Sequence, residues 1–153
     1  MIRLSTKGRY GTRLMLNLAR HYGNGGRSVI LREVADDEDI SIRYLEQIII
    51  PLKVGRLVKS IRGAGGGYML ARRPEEIRLS EILRALEGNC CLVECVEDGA
   101  SCDRLSVCPT YEIWKGATKI LKDYFDALTL RDVLERAEKK KQRQAKKARS
   151  AGS

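Results

Sequence analysis

Tyr10, Leu14, Leu18 and Tyr22 recur every four positions, which lays one apolar stripe along a helix. Ser5 or Thr6 stands where that helix would be capped, and the run GNGG at 23–26 ends it. Gly8 and Gly11 weaken its first turns, so a neighbouring element is expected to come close there. The run SVIL at 28–31 is short and β-like. Residues 32–38 predict a short helix with Val34 and Ala35 apolar, and DISI at 39–42 a turn in which Ser41 is placed as an N-cap. The next helix, IRYLEQIIIPLKVG, directs Ile42, Leu45, Ile48 or Ile49, and Leu52 inward. Pro51 removes one of its hydrogen bonds and predicts a kink. Two short helices joined by a tight turn are the skeleton of a helix-turn-helix. Arg43, Tyr44, Glu46, Gln47 and Lys53 fall on the polar side of its second helix.

Alternation then replaces helical spacing. Leu57–Arg62 alternates as a strand does, and Tyr68–Ala71 can return antiparallel to it. Between them lies RGAGGGY, with four glycines in seven positions. A phosphate-binding loop would need Lys-Ser/Thr after the glycines, and none follows. The pattern G-x-G-x-x-G fails because Gly63 and Gly65 are followed by Tyr68. A linker would not be flanked on both sides by strand residues. The stretch therefore reads as a hairpin tip whose glycines supply positive φ angles. A hairpin directly after a helix-turn-helix is a wing, and Arg62 sits where it can enter a minor groove or grip a phosphate.

Helical spacing returns at 74–88, where Ser80 reads as the N-cap before Ile82, Leu83 and Leu86, with Gly88 as the stop. Residues 89–111 hold all five cysteines and little periodicity. From Tyr111, the apolar positions Ile113, Trp114, Ala117, Ile120, Leu121, Tyr124, Phe125 and Leu128 recur every three or four residues. The remaining chain has nothing large enough to cover this helix, so a second copy of the protein is the expected cover. Thr129 and Asp132 form a capping-box pattern before a last short helix. Residues 137–153 lack an apolar face and are expected to be frayed or disordered. The expected organisation is a DNA-binding unit at 1–88, a cysteine-rich loop at 89–111, dimerisation helices at 112–136 and a basic tail at 137–153.

Charge sharpens this picture. The net charge is +9 over 153 residues. Residues 1–73 carry 14 Lys and Arg against 6 Asp and Glu; residues 74–136 carry 8 against 13; residues 137–153 carry 7 against 1. A basic front and a basic tail around an acidic middle point to a polyanion, nucleic acid first. No apolar run approaches the ~20 residues of a membrane helix, and the start lacks the apolar segment of a signal peptide. The expected compartment is the cytoplasm, where cysteines stay reduced. No Ser/His/Asp set or carboxylate pair stands out, so the chain reads as a non-enzyme.

Three of the cysteines are spaced Cys95-x6-Cys102-x5-Cys108. Thiolates hold iron–sulfur clusters, and a loop with this spacing can wrap three of them around one cluster. Structural zinc would call for four ligands, usually with a C-x2-C pair, and there is no such pair. A thiol switch or a disulfide is the remaining alternative.

Taken together, RLSTKGRYG at the start, ISIRYLEQ in the second helix, RGAGGGYML in the hairpin, and three spaced cysteines before a tryptophan helix resemble the IscR-like (Rrf-two type) winged-helix regulators of bacteria over residues 1–134. The resemblance implies a mainly α fold with a small β wing and a long C-terminal dimerisation helix. It implies a homodimer on a double-stranded DNA operator, with cluster-assembly proteins as further partners. Candidate DNA contacts are Arg3, then Ser41, Arg43, Tyr44, Glu46, Gln47 and Lys53 of the recognition helix, then Arg62, Gly65, Gly66 and Tyr68 of the wing. Cys95, Cys102 and Cys108 map to the family's iron–sulfur ligands, with the cluster type, 2Fe–2S or 4Fe–4S, left open. Some members add a histidine three residues after the third cysteine, here Tyr111; others a first-helix carboxylate, here Arg9. The lone His21 reads as a packed surface histidine. Cys90, Cys91, Glu94, Glu97, Asp98, Asp103 and Glu112 remain as candidates for the fourth ligand. The expected function is transcription regulation through sensing of cluster, redox or nitric oxide status. A cluster-free, thiol- or partner-controlled repressor and a cluster-bearing electron carrier are the alternatives; the second leaves the wing and the recognition helix without a role.

Overall fold

The computed structural model describes residues 4–23, 25–99 and 102–151. Helix α1 (Thr6–Tyr22) begins at Ser5, whose side chain accepts the Gly8 N–H at 3.1 Å. It buries Leu14, Met15 and Leu18. The expected close neighbour is α4 (Leu79–Glu87). An added Cβ would lie 2.3 Å from Glu87 Oε1 at Gly8 and 2.2 Å from Leu86 Cδ1 at Gly11, so a larger residue would make these side chains shift, at most cost at Gly11, where Leu86 is buried.

Helices α2 (Leu31–Glu38) and α3 (Ile42–Val54) meet at Asp39, whose left-handed backbone turns the chain. Ile40 then donates its N–H to Ala35 and buries its side chain. Ser41 caps α3 by accepting the Tyr44 N–H at 3.3 Å. Leu45, Ile48, Ile49 and Leu52 face the core, and α3 continues through Pro51 to Val54. Strands β1 (Val58–Ile61) and β2 (Gly67–Leu70) pair antiparallel, with Val58 opposite Leu70 and Ile61 opposite Gly67. The β-like run at 28–31 contributes one bridging residue: Val29 exchanges both backbone hydrogen bonds with Tyr68 at 2.8 Å. This is a winged helix, mainly α with a two-stranded sheet.

Helix α4 begins one residue before Ser80, with Arg78 at the cap position. The Arg78 N–H reaches the Glu81 carboxylate at 2.8 Å, while the Ser80 hydroxyl donates to Asp126. The segment beyond it holds α5 (Glu94–Glu97) and a 3₁₀ turn at Leu105–Val107, with few buried side chains. Helix α6 (Tyr111–Asp126) buries Thr118 alone. Helix α7 spans Leu130–Ala151 behind the expected Thr129/Asp132 cap, in which each backbone N–H meets the other side chain at 2.8 and 3.1 Å.

Helix α7 includes the stretch after Ala137, where Lys, Arg, Gln, Glu and Ala are strong helix formers that follow packed residues of the same helix. The core of residues 1–88 also takes in side chains from α7. Leu130 and Leu134 of α7 lie in one cluster with Leu14, Leu45, Ile77 and Ile82. The Leu130 N–H donates to the Ile77 carbonyl and the Leu79 N–H to the Leu128 carbonyl, fastening the α6–α7 corner to the start of α4. Among the described residues no helix is long and apolar enough to cross a membrane.

Candidate nucleic-acid interface and cysteine loop

Burying one face of α3 leaves Arg43, Glu46, Gln47, Ile50, Lys53 and Val54 exposed on the other. Arg43 and Gln47 are four residues apart and project from the same side. Tyr44, next to Arg43, is half-buried. Its ring meets Tyr10 edge-on, with centroids 5.7 Å apart, and packs α3 against α1. Ser41 serves the cap of α3. Lys53 places its ammonium 6.0 Å from the centre of the Tyr68 ring, joining the end of the recognition helix to the root of the wing.

Glycine is required at the wing tip at two of its positions. A Cβ at Gly66 would meet the Gly63 and Ile61 carbonyls at 2.8 and 2.9 Å, and one at Gly67 would meet the Val29 carbonyl at 2.6 Å. The space around Gly65 is open, and its carbonyl accepts from Ser28 Oγ. Arg62 is exposed beside this tip. Lys59 is exposed on β1 and adds a second wing cation; the alternation of the strand is the signal that could have found it. Arg3 lies outside the described residues.

The sensor candidates occupy the segment between α4 and α6. Cys95 sits in α5, Cys102 follows residues 100–101, and Cys108 ends the 3₁₀ turn, all partly exposed as free thiols. Thr110 lies 3.4 Å from Cys108 Sγ, and hydrogen bonds from its side chain and backbone lower that thiol's pKa. Cys90 and Cys91 line a cavity of about 250 Å³ with Leu4, Leu92, Leu121 and Phe125. Burial, then Glu87 and Cys91, push the Cys90 thiol up. The Leu92 N–H donates to buried Thr118 at 3.4 Å and ties the start of the loop to α6.

Three thiolates in one short loop suit an iron–sulfur cluster by donor type. Among the described residues, however, no three His, Cys, Asp or Glu side chains stand together as a metal site. The fourth-ligand candidates divide by position. His21 is near the end of α1 that lies away from Gly8, roughly 20 Å along the axis from where α1 meets α4. Arg9 is exposed and bonds Thr6 at 3.2 Å. The Glu97 carboxylate accepts from Asn89 at 2.8 Å.

Comparison with known proteins bears on this arrangement. The family model described as "Iron-dependent Transcriptional regulator", Rrf2, matches residues 4–136. The HTH-type transcriptional regulator CymR of Bacillus subtilis is 40% identical over 132 residues, covering 86% of this chain and 89% of the relative. The solved structure of CymR, the global cysteine regulator of B. subtilis, superposes with a TM-score of 0.73 at 38% identity, covering 88% of this chain and 98% of that one. T. potens IscR superposes with a TM-score of 0.74 at 38% identity over 90% of each chain. These matches make the protein a transcription regulator and not an enzyme: the chain belongs to the Rrf2 family.

Proposed function

We propose that the chain acts as a homodimer on a near-palindromic operator in the cytoplasm, with an iron–sulfur cluster on Cys95, Cys102 and Cys108 setting its affinity for DNA. Arg43 and Gln47 read base edges in the major groove, and Arg62 and Lys59 hold the flanking backbone at the wing. The carrying observation is where the thiols lie. Their loop joins α4, packed on the DNA-binding core, to α6, whose apolar face is free. Ordering that loop changes the spacing between two recognition helices. Cluster binding supplies the ordering free energy, because the three thiols must be drawn together for it.

Dimerisation rests on the seam of α6. Ile113, Ala117, Ile120 and Tyr124 follow a four-three-four spacing, and Ile113, Ile120 and Tyr124 are 60%, 70% and 55% exposed. Such a seam packs against its own copy. The test of the sensor is an iron and acid-labile sulfide count with an absorbance spectrum of anaerobically purified protein. Bound iron that disappears when any one of the three cysteines becomes Ala supports it. Colourless protein, free of iron and sulfide, refutes it.

A second reading keeps the DNA contacts and dispenses with the cluster. Its support is the 40% identity to a regulator described as governing cysteine. In that case the same cysteines act as thiols, and operator affinity follows thiol oxidation in iron-free protein.

A further inference from the structure

The family match ends at residue 136, and the basic tail lies beyond it. Helix α7 carries this tail as an ordered extension to Ala151. At about 100° per residue, Lys139, Lys140, Arg143, Lys146 and Lys147 fall within an arc of about 120°. Lys140, Arg143, Lys146 and Lys147 together line one concave strip of the surface. The far side carries Ala137, Ala145 and Ala148, and the one acidic residue of the tail, Glu138, also lies away from the stripe. Every stripe residue is exposed, and among the described residues none has an ion-pair partner.

This arrangement is electrostatically costly for the free chain. Arg143 has like charges at i−4, i−3, i+3 and i+4 in Lys139, Lys140, Lys146 and Lys147. Each such pair of like charges disfavours the helix. A polyanion laid along the stripe reverses the sign of all four. The stripe is about 12 Å long, and duplex DNA presents one charge per about 1.7 Å of axis. Opposite the cations only small alanines occur, interrupted by Lys141 and Glu138, so the helix lacks the large apolar side chains needed to lie in a membrane surface.

We propose that the Lys139–Lys147 stripe is a second DNA contact, which grips the phosphate backbone of the duplex held by the winged helix and adds affinity without sequence preference. This rests on the DNA-binding role proposed for the winged helix. The test compares the full chain with a variant carrying Lys139→Gln, Lys140→Gln, Arg143→Gln, Lys146→Gln and Lys147→Gln. A control carries Lys141→Gln and Arg149→Gln, which lie off the stripe. Affinity is measured against salt on a duplex selected from a random pool and on a mixed-sequence duplex. The stripe variant is expected to shallow the salt slope by roughly 0.9 for each phosphate no longer neutralised, up to ~4.5, equally on both duplexes. The control is expected to leave it nearly unchanged. Equal slopes for the stripe variant and the unaltered chain overturn the proposal, as does an equally shallow slope in the control. So does preference for RNA or anionic vesicles over duplex. Gln47→Ala separates the two readings: it weakens the selected duplex alone if the winged helix reads sequence. A parent chain that selects no duplex defeats the DNA-binding reading, and the stripe with it.

Discussion

Leu14, Leu45, Ile48 and Leu52 in the winged helix are fully shielded, whereas α6 leaves Ile113, Trp114, Ile120 and Tyr124 in solvent. Both regions have helical apolar spacing, so pattern alone does not separate them. The difference lies in what surrounds each stripe. Helix α1 meets α2, α3, α4, β2 and α7, and its glycines let α4 seat closely. Among the described residues, helix α6 meets chiefly α4 and the small α5. One region has finished packing within the chain; the other leaves apolar side chains uncovered. Stability and assembly should therefore respond to different residues.

The sharpest break of this contrast would come from the core. Leu134→Ala should cost about 2–5 kcal/mol in denaturant unfolding, because it opens a cavity shared by α7 and the winged helix. A chain ending at Gly88 should fail to fold, as read by circular dichroism. A stable 1–88 fragment would mean that α7 merely covers a finished domain.

Next in size is the seam. Ile113→Glu with Ile120→Glu should turn a two-chain species into a single chain in analytical ultracentrifugation at micromolar concentration, with far-UV circular dichroism of the winged helix retained. An unaltered chain that sediments as a monomer would remove the proposed role of α6.

DNA contacts come third. Gln47→Ala should cost about 1–3 kcal/mol on the operator and relax preference at one base position. Arg62→Ala should weaken all duplexes alike and shallow the salt slope by ~0.9. Two unaffected variants would place the reading surface elsewhere.

The smallest effect concerns acid. Burial alone would raise the Glu81 pKa, but hydrogen bonds from the Arg78 N–H and the Arg72 side chain, together with both positive charges, outweigh it and hold the pKa below its ordinary value. A depressed carboxylate stabilises the fold above its unfolded pKa, and that contribution is lost as pH falls through the folded one. Unfolding midpoints of the parent and Glu81→Gln should converge below the ordinary carboxylate range and separate above it. A difference that is constant with pH would deny Glu81 this role.

Local signals made much of this legible. The caps at Ser5, Ser41 and Thr129/Asp132, the turn before α3 and the glycine hairpin each depend on residues a few positions apart. Long-range partners were not legible. Ser80 looks like a cap because its hydroxyl's actual partner, Asp126, is far along the chain. Nothing local to Tyr44 says that its ring meets Tyr10. Leu130 and Leu134 look like part of a separate helix pair because nothing local says which core they enter. The cysteine loop was legible in composition alone, since it has little apolar periodicity and among the described residues its three spaced thiols do not stand together.

The seat of Leu130 and Leu134 has a consequence for how the protein is made. A nascent chain emerges N-terminal end first, at about 5–20 residues per second, so α7 leaves the ribosome roughly 2–10 seconds after α4. Until it arrives, the helix-turn-helix lacks two residues of its core. The cysteine loop and α6 are synthesised in that interval. The reading head thus cannot be completed before the parts that are proposed to govern it already exist.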